Sequence, residues 1–327
     1  MNIDICDRLS IEKPILQAGM AEISRAELAS AVTKAGGLGT IGLTNPSRFE
    51  ADILETKEST SDGTFAANLL MPFVQQAHVD ICLRQRVPVV TVFFGIDSAM
   101  IAKLKSAGTK VLIQIGTVEG AQEADQAGAD GLIVQGFEAG GHIHGNERLD
   151  EIVPLIRSQF PNLPLIAAGG IWNQESAASC YDLGANGVSC GTRFLLSEES
   201  YAHSAYKQRL LEANKTVVTR LFGVGWPDKH RVVPNAAIRR WCNAEGKEPN
   251  WLRPVQQLTT MLARSNIDSR KFMNTQSANT PFFTPAPLRQ GMDPDSVEVT
   301  ALYAGECIAH INKLEPAAHI VEQLTTS

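Results

Sequence analysis

Eight short apolar runs, each followed by a helix-like stretch, constrain this chain more than any other feature. They cover Ile15 to Gln17, Gly39 to Gly42, Phe65 to Asn68, Val89 to Phe93, Val111 to Ile115, Gly131 to Gln135, Leu165 to Ala168 and Gly187 to Cys190. Each is nearly continuous in apolar character rather than alternating, the pattern of parallel strands covered on both faces. Their starts lie roughly 20 to 35 residues apart, the length of one βα unit. The joints repeat too: Ala35-Gly36-Gly37-Leu38-Gly39, Ala107-Gly108-Thr109-Lys110, Ala127-Gly128-Ala129-Asp130-Gly131 and Gly184-Ala185-Asn186-Gly187. Each reads as a helix ended by a left-handed glycine with the next strand following at once. Eight such units predict an α/β fold, a (β/α)8 TIM barrel. A doubly wound sheet is the competing arrangement, but no Gly-x-Gly-x-x-Gly turn follows the first strand.

The rhythm stops after about residue 205. The expected organisation is therefore a barrel over residues 1–206, a small helical insertion or lid over 207–280, and a C-terminal segment over 281–327. The insertion holds Arg239-Arg240-Trp241 and an amphipathic run from Trp251 to Ala263. In the last segment, Val297, Leu302, Ile308 and Ile311 predict a helix over 296–312 that returns to the barrel.

At 327 residues and 44% hydrophobic composition the chain can bury a large core. A formal charge of -6, with both signs interspersed, leaves no basic stripe for nucleic acid. The six cysteines are scattered, with no Cys-x-x-Cys pair and no histidine cluster, so neither a disulfide framework nor a metal site is expected. The first residues lack a basic segment followed by an apolar stretch, and no apolar run approaches the roughly 20 residues that span a bilayer. The expectation is a cytoplasmic protein without a membrane partner.

In a barrel of this type the strands' C-terminal ends carry the chemistry, and strands seven and eight often build a phosphate site from backbone amides. Strand seven ends in Ala167-Ala168-Gly169-Gly170-Ile171 and strand eight in Cys190-Gly191-Thr192-Arg193-Phe194, where Thr192 adds a hydroxyl. Read blandly, these glycines are tight turns. Asn68, Gln114 and Gln135 sit late in strands three, five and six, and such amides suit the mixed donor and acceptor edge of a flavin. Singly, each also fits a satisfied core amide. Strand one ends in Gln17-Ala18-Gly19-Met20, where Ala18 and Gly19 let backbone approach a flat ligand and Met20 offers an adaptable apolar contact.

The loop from Gln135 to Gly145 reads Gln-Gly-Phe-Glu-Ala-Gly-Gly-His-Ile-His-Gly. Gly140 and Gly141 clear space for a close approach, and His142 just beyond them can move a proton near neutral pH. His144 competes for that role, while Glu138 suits a loop-fixing acceptor of backbone hydrogen bonds. His78, His203, His230, His310 and His319 have no comparable sequence context.

Taken in order, these segments resemble the 2-nitropropane dioxygenase-like flavoproteins, which include the nitronate monooxygenases and the flavin-dependent enoyl-ACP reductases. The likeness rests on Pro14 to Met20, Ala35 to Gly39, Gly136 to His142, Ala167 to Ile171 and Gly191 to Phe194, and covers nearly the whole barrel. It implies noncovalent FMN, its phosphate held by Gly169, Gly170, Gly191 and Thr192. The ring would lie near Ala18, Gly19, Met20, Asn68, Gln114, Gln135, Gly140 and Gly141. His142 matches the family's active-site histidine. Tyr303-Ala304-Gly305-Glu306 looks like the family's Ala-Gly-Gln element beside the cofactor, with glutamate in place of glutamine, and brings Tyr303 and Gly305 into the cofactor set.

The activity so implied is oxidation of alkyl nitronates such as propionate 3-nitronate by O2, giving a carbonyl compound and nitrite. The alternative is an NAD(P)H-dependent reductase acting on an enoyl thioester or a quinone, and a third reading is a flavin binder with little activity of its own. The expected partners are thus a small molecule and O2, with NAD(P)H under the alternative, and the family likeness admits a homodimer.

Overall fold

The computed structural model describes residues 4–61, 63–263 and 276–325. Two compact units share the chain: Met1–Glu138, His144–Tyr201 and Lys313–Ser327 form one, Ala139–Ile143 and Ala202–Asn312 the other. In the first, eight parallel strands pair in the order β1 (Ile15–Gln17), β9 (Gly187–Cys190), β8 (Leu165–Ala168), β6 (Gly131–Gln135), β5 (Lys110–Ile115), β4 (Val89–Phe93), β3 (Ala66–Leu70) and β2 (Thr40–Ile41). The ends of that sheet meet, because Gln17 N–H donates to Leu38 O at 3.0 Å and Leu38 N–H to Ile15 O at 2.9 Å. The result is a (β/α)8 barrel, and β1, β4, β6, β8 and β9 have the limits expected from sequence.

Side chains alternate across each strand, so two cores result. Leu16, Leu38, Ala66, Val89, Leu112, Ile133 and Ile166 pack together inside the barrel, where Ile5 and Leu9 of the helix Ile5–Leu9 join them. Their neighbours of opposite parity, such as Ala67, Val90, Val111, Leu132 and Leu165, face Leu28, Val32, Phe49 and Ile53 of the surrounding helices. Truncating fully buried Leu112 to alanine should cost about 3 kcal/mol, the transfer loss plus the cavity. The anticipated joints are present: Gly36, Gly108, Gly128 and Gly184 have φ of 89°, 90°, 82° and 100°. At the opposite ends of the helices, Asn45, Asp97, Thr117 and Asn173 accept from first-turn amides and fix where each helix starts.

The second unit differs from a helical insertion over 207–280. It begins at Ala202, runs to Asn312 and includes Ala139–Ile143. Its sheet is antiparallel, in the order β10 (Val217–Thr219), β11 (His230–Val232), β7 (Gly141–His142). Helices Ser204–Leu211, Ala236–Trp241 and Leu252–Ala263 accompany it. Leu221, Phe222, Val232, Ala237, Ile238, Leu252, Phe283 and Ala301 form its core. Residues 264–275 of the expected insertion lie outside the described residues.

The helix expected over 296–312 is replaced by two 3-10 turns, Pro294–Glu298 and Glu306–His310. Leu302 lies about 140° around an α-helix from Val297, off the face that Val297, Ile308 and Ile311 would share, and Gly305 falls inside the span, so a continuous helix there is disfavoured. The C-terminal helix is Ala317–Leu324, in the barrel unit, with Ala317, Ile320, Val321 and Leu324 buried at regular helical spacing.

Candidate active site

Parity places the three amides. Asn68, Gln114 and Gln135 each stand two residues beyond an inward-facing apolar residue, Ala66, Leu112 and Ile133, so all three face the barrel interior at its C-terminal end. The Asn68 Nδ2 donates to Thr91 Oγ1 at 3.0 Å. A Cβ on Gly19 would lie 2.4 Å from Asn68 Cβ, so strand one's end approaches strand three only because residue 19 is glycine. Met20 then turns the chain, donating from N to Ser24 Oγ at 2.9 Å. Ala18 N–H donates to Cys190 O at 3.0 Å, which brings the ends of β1 and β9 together.

Gly191 directly follows β9 and precedes the short helix Thr192–Leu195. The nearest atom to a Cβ built on Gly191 is Ala18 Cβ at 3.8 Å, leaving open space over that backbone. Directly after neighbouring β8, Gly169 and Gly170 have φ of 137° and 69°, conformations that side chains rarely adopt. The Ala18, Gly19, Gly169, Gly170, Gly191 and Thr192 positions therefore share one end of the barrel with the amides. Arg193, one residue beyond Thr192, is buried against Glu315, which ties this helix to the C-terminal segment.

The Gln135 Oε1 accepts the His144 N–H at 3.1 Å, and the His144 ring meets Phe94 edge to face at 5.4 Å. His144 is thus fixed on the barrel. Glu138 is the anticipated loop anchor: its two carboxylate oxygens accept from Leu149 N at 3.2 and 3.3 Å, at the start of helix Leu149–Gln159.

His142 belongs to the second unit, on β7 opposite His230 of β11. Its imidazole stacks on Trp226 with centroids 3.5 Å apart and planes 8° from parallel, and lies 5.0 Å from the His230 ring and 5.5 Å from that of Tyr303. The Trp226 Nε1 donates to Asp228 Oδ2 at 2.6 Å. His230 Nε2 accepts from Phe222 N at 3.4 Å, so its Nδ1 carries the proton donated to Asp228 O at 3.0 Å. Burial lowers the His230 pKa to about 4. Burial, then repulsion from His230, holds His142 well below the ordinary histidine range. A histidine of this kind is uncharged at neutral pH and accepts a proton rather than supplying positive charge.

Arg231 fixes the segment before His142. It is buried, donates from Nε to Ala139 O at 3.2 Å and pairs with Glu306 Oε1 at 3.1 Å. Gly140 has no room for a side chain, since a Cβ would lie 2.4 Å from both Ala304 C and Gly305 N, and Gly141 has φ of 76°. Tyr303 is anchored through its hydroxyl, which donates to Pro285 O at 2.6 Å. Gly140, Gly141, His142, Tyr303 and Gly305 are thereby brought together in one unit.

Trp226, Asp228, His230 and Arg231 are absent from the sequence-based set. His230, set aside for lack of context, is the strand partner of His142, and the context is tertiary. A local signal exists, because Trp226, Asp228 and His230 recur every second residue as on one face of a strand. Among the described residues no group of three or more histidine, cysteine, aspartate or glutamate side chains could hold a metal ion. No helix among them is long and apolar enough to cross a membrane.

Comparison with known proteins places this arrangement. A family model described as nitronate monooxygenase matches residues 4–79 and 71–327. A protein named probable nitronate monooxygenase, from Staphylococcus aureus strain Newman, is 29% identical over 325 residues, 84% of this chain and 90% of the relative. FabK from Thermotoga maritima superposes with a TM-score of 0.78 at 31% identity, covering 98% of this chain and 94% of the other. A nitroalkane oxidase from Streptomyces ansochromogenes does so with a TM-score of 0.77 at 27% identity, covering 98% and 96%.

Proposed function

The chain belongs to the nitronate monooxygenase family and is a flavin-dependent oxidoreductase, and from that premise we propose that it uses FMN to oxidise alkyl nitronates with O2 to a carbonyl compound and nitrite. The observation that carries this reading is the buried, uncharged His142 stacked on Trp226. In this reading the partners are a small nitro compound and O2, and the enzyme works in the cytoplasm.

The barrel residues fit a flavin mononucleotide. Space over Gly191 and the positive φ of Gly169 and Gly170 suit a phosphate held by backbone amides, with the Thr192 hydroxyl as a further donor. Asn68, Gln114 and Gln135, facing inward, offer donors and acceptors to a ring edge, and Ala18, Gly19 and Met20 its flat contact. Gly140, Gly141, Tyr303 and Gly305 complete the proposed cofactor set. When bound, the flavin supplies the redox chemistry, accepting electrons from the substrate and delivering them to oxygen.

The protein's own part is proton chemistry. His142 takes the α-proton of a nitroalkane at an imidazole nitrogen, forming the nitronate in place. An imidazolium held ready to pair with an anion is the state that burial disfavours. Substituting His142 by alanine should therefore abolish turnover of a neutral nitroalkane far more than turnover of preformed propionate 3-nitronate. Equal losses on both substrates would reject the role of base.

A second reading, an NAD(P)H-dependent reductase of enoyl thioesters or quinones, draws on the motifs shared with that branch of the family. Anaerobic mixing with propionate 3-nitronate, NADH and NADPH in parallel separates the two. Flavin bleaching by the nicotinamides and none by the nitronate would overturn nitronate oxidation.

A further inference from the structure

We infer, resting on His142 as the base, that Trp226 is a positioning residue that sets the plane of the His142 ring, and that Asp228 anchors it. The terminal torsion of a histidine is broad and roughly two-fold, so a strand backbone alone does not aim its nitrogens. Proton transfer needs that aim, because the accepting lone pair lies in the ring plane. A parallel indole stacked 3.5 Å away removes the freedom without covering either nitrogen's in-plane direction.

One residue fixes the neighbours of His142 on two sides. The Asp228 carboxylate accepts the Trp226 Nε1 proton at 2.6 Å, and its backbone carbonyl accepts the His230 Nδ1 proton at 3.0 Å. Within this unit, the other titratable rings facing His142 are His230 from β11 and Tyr303 from the segment bridged to β11 at Val232. Neither stacks on it: their planes are tilted by 55° and 48°. Trp226 alone among these three rings defines a plane for the imidazole.

The test uses the flavin-loaded enzyme with a neutral nitroalkane. Trp226→Ala should lower kcat by about 100-fold, the scale of a misplaced catalytic group, with KM changed by less than about threefold. Trp226→Phe keeps an aromatic platform and should restore most of that loss. Asp228→Asn retains an amide oxygen for the indole N–H and should behave nearly as wild type, whereas Asp228→Ala should fall between wild type and Trp226→Ala. The Asp228 pair also keeps the test available if Trp226→Ala does not fold.

The orientation of the His142 ring, read from NMR cross-relaxation between its labelled ring protons and neighbouring backbone protons, separates the two claims. An orientation unchanged in Trp226→Ala, or equal kinetic losses in the alanine and phenylalanine variants, overturns the positioning role. An orientation that changes or averages while nitroalkane turnover stays intact upholds the positioning and overturns His142 as the base.

Discussion

The barrel's buried ion pairs and the aromatic surroundings of His142 in the second unit treat buried polar groups in opposite ways. In the barrel, Asp52 is fully buried between Arg25 Nε at 2.6 Å and Arg48 Nη2 at 2.9 Å, and Arg193 is buried against Glu315. Burial pushes the Asp52 carboxyl up to about 6 against the pull of Arg48, so the partner keeps it charged at neutral pH. Around His142 the buried imidazoles are instead uncharged, and their neighbours are an indole, a phenol and each other. Paired charges hold a scaffold in one arrangement, while a base whose charged form burial disfavours stays neutral and ready for a proton. Removing a paired charge should accordingly damage stability, and removing the neutral base turnover.

The largest effect should come from His142→Ala. Removing a general base costs typically 100- to 10,000-fold, so nitroalkane turnover, followed by O2 uptake and nitrite release, should fall within about that range. The visible spectrum of the purified variant should still show bound flavin, since the proposed phosphate grip lies on barrel residues. Loss of the flavin together with activity would break the division of labour between the two units.

Asp52→Ala should do the reverse. It leaves Arg25 buried without its carboxylate, which should cost about 3 kcal/mol in urea unfolding. Turnover at 25 °C should change by less than about twofold in the fraction that remains folded, within the scatter expected of a site untouched by the mutation.

The same contrast explains what could be read from sequence. Barrel strands and joints were legible because their signals are local: a run of apolar residues, then a glycine whose positive φ only that residue adopts cheaply, as at Gly36 and Gly108. The inward amides were legible for the same reason, each being two residues past an apolar inward neighbour. His142 was legible as a residue, but its surroundings were not. Trp226, Asp228 and His230 reach it through an antiparallel pairing of β7 with β11, distant in sequence, and β7 is only two residues long. The C-terminal helix lies at Ala317–Leu324 rather than over 296–312, because Leu302 falls off the stripe of Val297, Ile308 and Ile311 and Gly305 weakens any helix through it.

Lowering the pH should sharpen the comparison next. The His230 pKa is about 4 in the folded protein against an ordinary value of 6.5, so the unfolded chain binds a proton that the folded chain refuses. That contribution to stability is complete above pH 6.5 and is lost as the pH falls toward 4, on the order of 3 kcal/mol in all. His230→Gln removes this contribution, so the urea midpoint of the wild type relative to that variant should fall with pH across this window; Asp52, pushed up to about 6 by burial, acts in the opposite direction but equally in both proteins. His142 is depressed in the same direction, so the acidic limb of the nitroalkane kcat profile should lie below pH 6.5. A limb above that value would mean that the base titrates in contact with water.

The smallest effects should come from the paired glycines before His142, which carry different constraints. A Cβ on Gly140 meets backbone at Ala304 and Gly305, atoms that cannot swing aside, so Gly140→Ala should cost about 2 kcal/mol by overpacking. Gly141 has nothing within 4 Å of such a Cβ, and its only obstacle is a φ of 76°. Gly141→Ala should therefore cost about 1 kcal/mol, the penalty of a left-handed alanine. Because Arg231 grips Ala139 O just before this pair, a backbone shift at Gly140 should propagate into β7 and lower kcat along with stability. Gly141→Ala should lower stability with a smaller kinetic loss. Equal losses in both variants would show that backbone conformation, rather than the close approach to Ala304 and Gly305, sets the position of His142.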